Sequence, residues 1–472
     1  MLDGGRTRVP KTAKTFLGID LGTSFIKAGV LDLSARQLQH VQRIPFPEPL
    51  ATSNPLHSEY PAEKIIEAVR ALIHKLAPHA PDCAGLVMCS QMHGLVLMND
   101  GGVASNCITW RDQRALELHP SGSGTYYSAI LARTDAALRR ELGNELDPAR
   151  PICCLFWLAE QGKLAPGLIP VSLPDFVLSS LCATAPSVEA TNASACGAFN
   201  LKTLDWHHDL IRRLQLDHLR WPEVRKQGEV VGELTIGSKP VPCYTPVGDA
   251  QAALAGALLA SDELSLNIAT GAQVSRLTPE LKLGDYQSRP YFDGQFLNTF
   301  SYPPAGRELN VVIQLLTEQA VAQGLTIPDP WTYISEATQH VPDTDLEVDL
   351  NFFPTSSGGG GGISNMRAEN LTVGHLFRAA FNSMADAYYE CAVRLWSEKA
   401  WHNLLLSGGL VTKLEVLRNA IQNKFHASYR LSPFAEDTLF GLLILASVFS
   451  GQADTVEAIS NELRQRRELQ PG

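Results

Sequence analysis

The stretch FLGIDLGTSFIKAGVLD, residues 16–32, decides the fold of this chain. Two apolar segments flank a polar group of residues, Asp20, Gly22, Thr23 and Ser24, which predicts a β-hairpin with a tight turn. The glycine permits a sharp bend, and successive backbone N–H groups in such a turn form a concave anion site. The turn therefore either only reverses the chain or binds phosphate, with Asp20 able to hold Mg²⁺ through water.

A second stretch, ELSLNIATGAQVSRL at 263–277, repeats this arrangement. An apolar strand precedes a turn that contains Thr270 and Gly271, and another strand follows. The hydroxyl of Thr270 and the backbone N–H groups of the turn are again suited to phosphate. Two strand–turn–strand units, one in each half, predict two lobes of related design.

The segments around these hairpins predict an α/β protein. Apolar residues recur at helical spacing over 62–77, and the short apolar run 84–90 predicts a buried strand. The alanine-rich stretch 248–260 predicts a helix. Further helical patterns cover 371–398, 412–426 and 436–450, and the strand 404–410 ends in the glycine pair Gly408 and Gly409.

One carboxylate stands out in the stretch TPVGDAQAALAG, where Asp249 lies between a predicted strand and a predicted helix. A structural interpretation makes it the N-cap of that helix, a position that aspartate favours. A functional interpretation makes it the base that accepts a proton from a hydroxyl attacking phosphorus. The two interpretations are compatible, because a position at a helix start fixes the carboxylate.

Polar groups suited to a hydroxylated ligand cluster in two short motifs, CSQMHG and TWRDQR. Each is weak alone, and a single histidine in such a run is more often a structural residue with satisfied hydrogen bonds. The candidates in these motifs are Gln91, His93, Trp110 and Asp112, and the segments SLPDFVLSSL and EATNASACGAFN add Asp175 and Asn192.

Composition excludes several classes of protein. The 472 residues are 45% hydrophobic and 19% charged, with a formal net charge of −10, which argues against a nucleic-acid binder. Nine cysteines without a C-x-x-C pair favour reduced thiols over disulfides or zinc, and so a cytoplasmic protein. The basic residues among the first fourteen lack a following apolar run, so we expect a disordered N-terminus there. The apolar run 439–449 is too short to span a membrane and predicts a buried helix.

Together, the motifs GIDLGTSFIKAGVLD, SQMHG, TWRDQR, GDAQAA, NIATGAQVS, LLLSGGL and FGLLILA resemble, in this order, the FGGY carbohydrate kinases over residues 15–465. The resemblance implies two actin-like, ribonuclease-H-like domains that flank a deep cleft, with ATP and Mg²⁺ as cofactors. It makes Asp249 the catalytic base, also in contact with the sugar. It assigns phosphate or nucleotide contacts to Asp20, Gly22, Thr23, Ser24, Thr270, Gly271, Gly408 and Gly409, with the metal at Asp20. It assigns sugar contacts to Gln91, Met92 and His93, with Trp110, Asp112 and Asp175 as neighbours.

The resemblance also implies a division of the chain: an N-terminal domain over 15–260, a C-terminal nucleotide-binding domain over 261–465 and a tail over 466–472. It implies a sugar and ATP as the bound molecules, no nucleic acid, no membrane, and a monomer or homodimer. The segments TNASACGAFN and DWHHDLIRRL resemble those of kinases that act on sedoheptulose. Xylulose or another ketose or polyol is the alternative substrate, because pocket contacts rather than the fold decide it.

Two departures from the family pattern leave other functions open. Phe25 stands where the family usually has a small hydroxyl residue, and the usual P-x-x-x-G-E-R stretch is replaced by PTSSGGGGGIS, with its glycine run at Gly358–Gly362. These departures motivate a non-catalytic sugar or nucleotide sensor on the same fold, whereas retention of Asp20 and Asp249 favours an enzyme. An actin-like ATPase with a protein partner would leave SQMHG and TWRDQR unexplained.

Overall fold

The structure is a computed structural model that describes residues 15–122, 124–341, 343–353 and 360–468. The predicted disordered N-terminus lies outside the described residues, as do residues 354–359 of the glycine-rich stretch and 469–472 of the predicted tail. Residues 466–468 belong to the last described helix. All nine cysteines are free thiols.

Fifteen α-helices lie within the described residues and are numbered in chain order. They are α1 (Ala62–Leu76), α2 (Tyr126–Ala132), α3 (Ala136–Glu141), α4 (Pro151–Glu160), α5 (Leu173–Cys182), α6 (Ala190–Ser194), α7 (His208–Arg213), α8 (Asp249–Gly256), α9 (Gly306–Ala322), α10 (Pro330–Gln339), α11 (Val373–Leu395), α12 (Gly409–Lys413), α13 (Glu415–Phe425), α14 (Asp437–Phe449) and α15 (Val456–Glu468).

The same described ranges contain twenty-four strands. They are β1 (Thr15–Leu21), β2 (Phe25–Asp32), β3 (Gln37–Pro45), β4 (Glu59–Tyr60), β5 (Cys83–Ser90), β6 (Val96–Asn99), β7 (Gly102–Val103), β8 (Cys107–Ile108), β9 (Ile169–Val171), β10 (Ser187–Glu189), β11 (Phe199–Asn200), β12 (Asp205–Trp206), β13 (Glu223–Arg225), β14 (Val230–Ile236), β15 (Lys239–Tyr244), β16 (Val247–Gly248), β17 (Glu263–Ile268), β18 (Ala272–Thr278), β19 (Gln287–Pro290), β20 (Phe296–Ser301), β21 (Glu347–Asp349), β22 (Gly362–Ser364), β23 (Asn403–Ser407) and β24 (Ser428–Leu431).

The chain forms two compact units. The first comprises the described residues up to Leu258, the segment Thr278–Leu297 and the described residues from Phe434 onward. The second comprises Leu259–Leu277 and the described part of Asn298–Pro433. Two later segments of the chain therefore pack with the first unit. The domain boundary that the resemblance places between residues 260 and 261 stays a prediction.

A seven-stranded sheet organises the first unit, in the order β14-β15-β5-β1-β2-β3, with β16 also paired to β5. The predicted hairpin of residues 16–32 is confirmed, because β1 and β2 pair antiparallel throughout. Strand β5 runs parallel to β1 on the other side. Helices α1 and α5 contribute buried side chains to the same hydrophobic core as these strands.

The sheet of the second unit repeats the design, as the hairpin motifs predicted. Strands β17 and β18 form an antiparallel hairpin, and β23 runs parallel to β17. The order β20-β18-β17-β23-β24 therefore corresponds to β3-β2-β1-β5-β15 of the first unit. Each hairpin turn follows a central buried strand.

Two predicted helices differ from those observed. Helix α8 ends at Gly256 rather than at residue 260, because the chain reverses at Leu258, whose φ is +59°. The predicted helix 412–426 is interrupted at Leu414, whose backbone is extended, so that α12 ends and α13 begins there.

Glycines bring α8 and α14 into backbone contact. A Cβ atom at Gly256 would lie 1.9 Å from the carbonyl oxygen of Asp437, and one at Gly441 would lie 1.9 Å from that of Ala252. No larger residue fits at either position without moving a helix. Helix α14 thereby fixes α8, the helix that begins at Asp249.

Candidate active site

The first candidate residue, Asp20, lies near the end of β1, in register with Lys27 on β2 and Cys89 on β5. It is 4% exposed. One carboxylate oxygen accepts a hydrogen bond of 2.7 Å from the hydroxyl of Thr438, and the other accepts a weak one of 3.7 Å from the Cys89 thiol. A carboxylate oxygen accepts more than one hydrogen bond, so both retain capacity for a further partner.

Burial raises the pKa of Asp20 above its usual value. The hydrogen bond from Thr438 and the positive charge of Lys27 oppose that effect by stabilising the ionised form. Lys27 itself forms an ion pair of 2.5 Å with Glu436, just before α14. The environment of Asp20 is therefore set mainly by the start of a helix from the opposite end of the chain.

The hairpin turn, which is predicted to bind phosphate, is hydrogen-bonded to two residues that are predicted to contact the sugar. A Cβ atom at Gly22 would lie 2.9 Å from the Phe25 carbonyl oxygen, so the tight turn requires glycine. Thr23 donates a hydrogen bond of 3.1 Å to the side-chain oxygen of Gln91 and accepts one of 3.1 Å from the indole nitrogen of Trp110. Ser24 is exposed at the tip.

The side-chain nitrogen of Gln91 is a hydrogen-bond donor that the network of Thr23 and Trp110 does not use. Its backbone N–H bonds to the carbonyl of Leu21 at 2.9 Å, and its side chain is almost completely buried. The side-chain oxygen accepts from Thr23, while no atom of the described residues pairs with the side-chain nitrogen. A buried donor without a partner costs free energy, which a ligand acceptor would recover.

His93 adopts a left-handed backbone conformation, with φ of +67°, and Met92 beside it is buried. The ring nitrogen Nδ1 lies 2.8 Å from the carbonyl oxygen of Ala195. Burial holds the pKa of His93 well below its usual value, and the nearby Arg150 acts in the same direction. A carbonyl only accepts, so the neutral ring carries its proton on Nδ1 and presents Nε2 as an acceptor.

The carboxylate of Asp112 is saturated by the protein. One oxygen accepts from the backbone N–H and Nε of Arg114, and the other accepts from Nη2 of Arg114 and the backbone N–H of Ser58. Asp112 is fully buried, whereas Trp110 is 41% exposed. This carboxylate therefore shapes the turn that carries Trp110 and has little remaining capacity to contact a sugar.

Asp175 does not join the network of Thr23, Gln91 and Trp110. It is buried in the first turn of α5, where its carboxylate is hydrogen-bonded to the hydroxyl of Ser172, the N-cap residue. Burial raises its pKa well above the usual value. The start of α5 packs against Gly94, so Asp175 lies on an element that supports the 91–94 turn.

Asp249 is the first residue of α8, and Gly248 occupies the N-cap position. The N-cap interpretation is thus wrong by one position, because the chain is still extended at Gly248. Burial raises the pKa of Asp249 to about 7, and the negative charge of Asp20 acts in the same direction. The backbone N–H of Ala250 opposes the shift. A carboxyl with this pKa exchanges its proton near neutral pH.

A buried charged cluster near His93 was not predicted from the sequence. Glu145 is fully buried and bonds to Nε of Arg289 at 2.5 Å and to Nε of Arg150 at 3.1 Å. Burial alone would raise the pKa of Glu145, but the charges of Arg289 and Arg150 outweigh it and lower the pKa to about 2. The positive charge of Arg289 also opposes the rise in the pKa of Asp249. No short motif contains these residues, so only the structure could bring them together.

The second unit brings its own predicted residues together. Thr270 and Gly271 lie exposed between β17 and β18. Gly408 has a φ of +95°, and a Cβ atom there would lie 2.4 Å from the carbonyl oxygen of Ile268. The glycine pair, with Gly409 opening α12, therefore approaches the strand end that leads into the 269–271 turn.

No group of three or more side chains suited to hold a metal ion occurs among the described residues. Within the same ranges, no helix combines the length and apolar character needed to cross a lipid bilayer.

Comparison with known proteins identifies the class of this fold. Residues 15–256 match the N-terminal domain of the FGGY family of carbohydrate kinases. The chain belongs to this family and is a carbohydrate kinase, with the two-domain actin-like fold that the resemblance implied.

Individual relatives are more distant. Sedoheptulokinase of Mus musculus is 23% identical over 461 residues, which cover 87% of this chain and 92% of that protein. The ligand-bound xylulose kinase of Lactobacillus acidophilus superposes with a TM-score of 0.79 at 18% identity, covering 95% of this chain and 91% of the other. Plasmodium falciparum glycerol kinase with ADP gives a TM-score of 0.80 at 16% identity, covering 95% and 92%.

Proposed function

We propose that this protein transfers the γ-phosphoryl group of ATP to a terminal hydroxyl of a ketose, and that the ketose is sedoheptulose, giving sedoheptulose 7-phosphate. The observation that carries the phosphoryl transfer is the pairing of Asp20 and Asp249 in one unit, close enough for the charge of the first to raise the pKa of the second. The choice of sugar is supported by the similarity to mouse sedoheptulokinase along most of both chains.

In this proposal, Asp249 is the catalytic base. It accepts the proton of the attacking hydroxyl while that oxygen bonds to the γ-phosphorus and the bond to the β-phosphate oxygen breaks, releasing ADP. Phosphoryl transfer has a loose transition state, so positioning contributes more than the strength of the base. A pKa of about 7 leaves roughly half of the carboxyl groups ionised at neutral pH.

Asp20 fits a role at a magnesium ion that accompanies ATP. Its carboxylate retains free acceptor capacity, and a cation beside it would offset the repulsion between Asp20 and Asp249. Since the described residues hold no cluster of three ligands, most of the coordination would come from phosphate oxygens and water. When bound, the ion would neutralise charge on the phosphates. Gly22, Thr23 and Ser24 would direct donors at the phosphate chain.

The sugar would contact the exposed side of the Thr23–Gln91–Trp110 network. The unused donor of Gln91 suits a hydroxyl oxygen, and Nε2 of His93 suits a hydroxyl hydrogen. Trp110 offers an exposed aromatic face. Asp112 and Asp175 then act on the sugar site indirectly, by holding the turns that carry these groups.

The second unit would contribute to ATP binding. Thr270 and Gly271 are proposed to bind phosphate oxygens, and Gly408 and Gly409 to lie against the adenosine. Their closeness to one another around Ile268 supports a shared ligand. A Cβ atom at Gly409 would meet nothing within 4 Å, so this glycine leaves room for a flat group to approach the backbone.

The test is an ADP-release assay with sedoheptulose, xylulose, ribulose, fructose, gluconate and glycerol, each with and without Mg²⁺. We expect the highest kcat/KM with sedoheptulose and no turnover without the metal ion. A higher kcat/KM with xylulose or another compound would replace sedoheptulose but keep the kinase. Tight binding of a sugar without ADP release from any of them would favour a non-catalytic sensor.

A further inference from the structure

The two residues before Asp249 form a strand that has a neighbouring strand on only one side within the described structure. Strand β16 pairs with β5 through Val247 opposite Cys89 and Gly248 opposite Ser90. Alternate backbone groups of a strand point to opposite sides. The carbonyl of Pro246 and the N–H of Gly248 therefore face away from β5.

Side chains of α6 occupy that other side. The hydroxyl oxygen of Thr191 accepts a hydrogen bond of 2.9 Å from the N–H of Gly248. The side-chain nitrogen of Asn192 donates one of 3.0 Å to the carbonyl of Pro246. Both side chains are buried. These side chains make the two hydrogen bonds that a neighbouring strand would make. One of them is to Gly248, the residue immediately before Asp249.

A buried carboxyl group orients this contact. Glu189 accepts hydrogen bonds from the backbone N–H of Thr191 at 2.8 Å and from its hydroxyl at 2.5 Å. Because the hydroxyl hydrogen is committed to Glu189, its lone pairs face Gly248. The threonine therefore connects a fixed carboxyl group to the N-cap residue of α8.

We propose that Thr191 and Asn192 are positioning residues of the kinase reaction, which hold the backbone of β16 so that Asp249 reaches the attacking hydroxyl. The inference rests on Asp249 being the catalytic base. It gives the TNAS segment, residues 191–194, a role in turnover rather than in sugar binding. Displacement of a catalytic group by about 1 Å costs about 10²-fold in rate, whereas substrate contacts elsewhere are unchanged.

The experiment compares Thr191→Val with Thr191→Ser. Valine keeps the shape but loses both hydrogen bonds, whereas serine keeps them. We expect Thr191→Val to lower kcat by about 10²-fold with both KM values changed by less than about 3-fold, because transition-state geometry alone is affected. We expect Thr191→Ser to recover kcat to within about 5-fold of wild type.

A matched control is Thr134→Val, a buried threonine whose hydroxyl bonds only to the Leu131 carbonyl within the described contacts. It should leave kcat unchanged. If Thr191→Val does not fold, Asn192→Ala replaces it, and the expected loss in kcat is about 10-fold, because one of the two bonds remains. Hydrogen exchange of the Gly248 amide should accelerate in Thr191→Val and not in Thr134→Val.

The positioning role would be wrong if Thr191→Val had the kcat of wild type, or if only its KM values changed. This holds even if the Gly248 amide exchanges faster in the variant. Failure of the proposed function has a different signature. In that case the wild-type protein itself releases no ADP with any sugar, or Asp249→Asn retains wild-type activity.

Discussion

Thr438 donates a hydrogen bond of 2.7 Å to Asp20, although 418 positions separate the two residues in the sequence. The first strand and the start of α14 therefore build one carboxylate environment. A hydrogen bond to the ionised form lowers the pKa and opposes the effect of burial. Asp20 is thereby kept closer to the charged state that a metal–phosphate complex requires.

Asp249→Asn should abolish turnover, with a fall in kcat of at least about 10³-fold, because the amide cannot accept the proton and positioning alone remains. Binding of ADP should persist. Coupled ADP release measures the first quantity, and isothermal titration calorimetry measures the second. Near-normal turnover in this variant would remove Asp249 from the reaction.

The same variant should be more stable than wild type at pH 8. The folded-state pKa of about 7 lies above the unfolded value of about 3.9, so the folded protein binds the proton more tightly. Stability is therefore lost as pH rises from about 4 to about 7, and asparagine removes that loss. Melting temperatures of wild type and Asp249→Asn at pH 8 and pH 4.5 test this expectation. The control is Asp217→Asn, because Asp217 is exposed. A lower melting temperature for Asp249→Asn at pH 8 would contradict the assignment.

Asp20→Asn should shift the pH dependence of kcat/KM. If Asp249 is the base, wild-type activity should fall as pH drops through about 7, because Asp249 becomes protonated. Removing the negative charge of Asp20 lowers the pKa of Asp249, so the acid limb should move to lower pH. The affinity for Mg²⁺–ATP should fall together with kcat.

The outcome to measure is a pair of pH–rate profiles. Thr438→Ser serves as the matched variant, since serine keeps the hydroxyl that bonds to Asp20 and so leaves the charge of Asp20 in place. Its acid limb should not move to lower pH. An Asp20→Asn profile with the wild-type midpoint would show that the two carboxyl groups do not interact.

The sequence was sufficient to predict the local elements of this fold. Alternation and turn residues predicted both hairpins, and helical spacing predicted α1 over nearly its full length. These features are determined by neighbouring residues, so a single sequence contains them. The C-terminal end of α8 could not be predicted, because Gly256 packs against α14, which lies far along the chain.

The same distinction applies to the candidate site. Asp20, Gln91 and Asp249 lie in short motifs and could be identified. Thr438 could not, since a threonine before an apolar run carries no chemical signal of its own. Arg289 belongs to the segment Thr278–Leu297, which follows a strand of the second unit yet packs with the first. Only long-range packing brings it to Glu145.

Trp110→Phe should weaken sugar binding with little effect on kcat. The substitution keeps the aromatic face and removes the N–H that bonds to Thr23 at 3.1 Å. Without this bond the ring is held less firmly against the sugar. A loss of up to about 1 kcal/mol, the contribution of one hydrogen bond, should raise the KM for the sugar by up to about 5-fold, while the KM for ATP stays constant. Steady-state kinetics with each substrate varied in turn checks this, and Trp221→Phe, whose indole bonds to Leu216, is the control. An increase confined to the KM for ATP would place Trp110 at the nucleotide.

Glu145→Gln should destabilise the first unit severely. The carboxylate is fully buried between Arg150 and Arg289, and its loss leaves two buried guanidinium groups without their shared partner. Breaking a buried ion pair from one side costs about 3–5 kcal/mol. Urea unfolding should show this loss, whereas the exposed Glu223→Gln should remain within about 0.5 kcal/mol of wild type.

The pH dependence of unfolding gives an independent check. The folded-state pKa of about 2 lies below the unfolded value of about 4.3, so this carboxylate stabilises the protein fully above pH 4.3. Its contribution declines as pH falls toward 2. The gap in stability between wild type and Glu145→Gln should therefore narrow on acidification. A gap that stays constant between pH 7 and pH 3 would mean that the ionisation of Glu145 does not stabilise the fold.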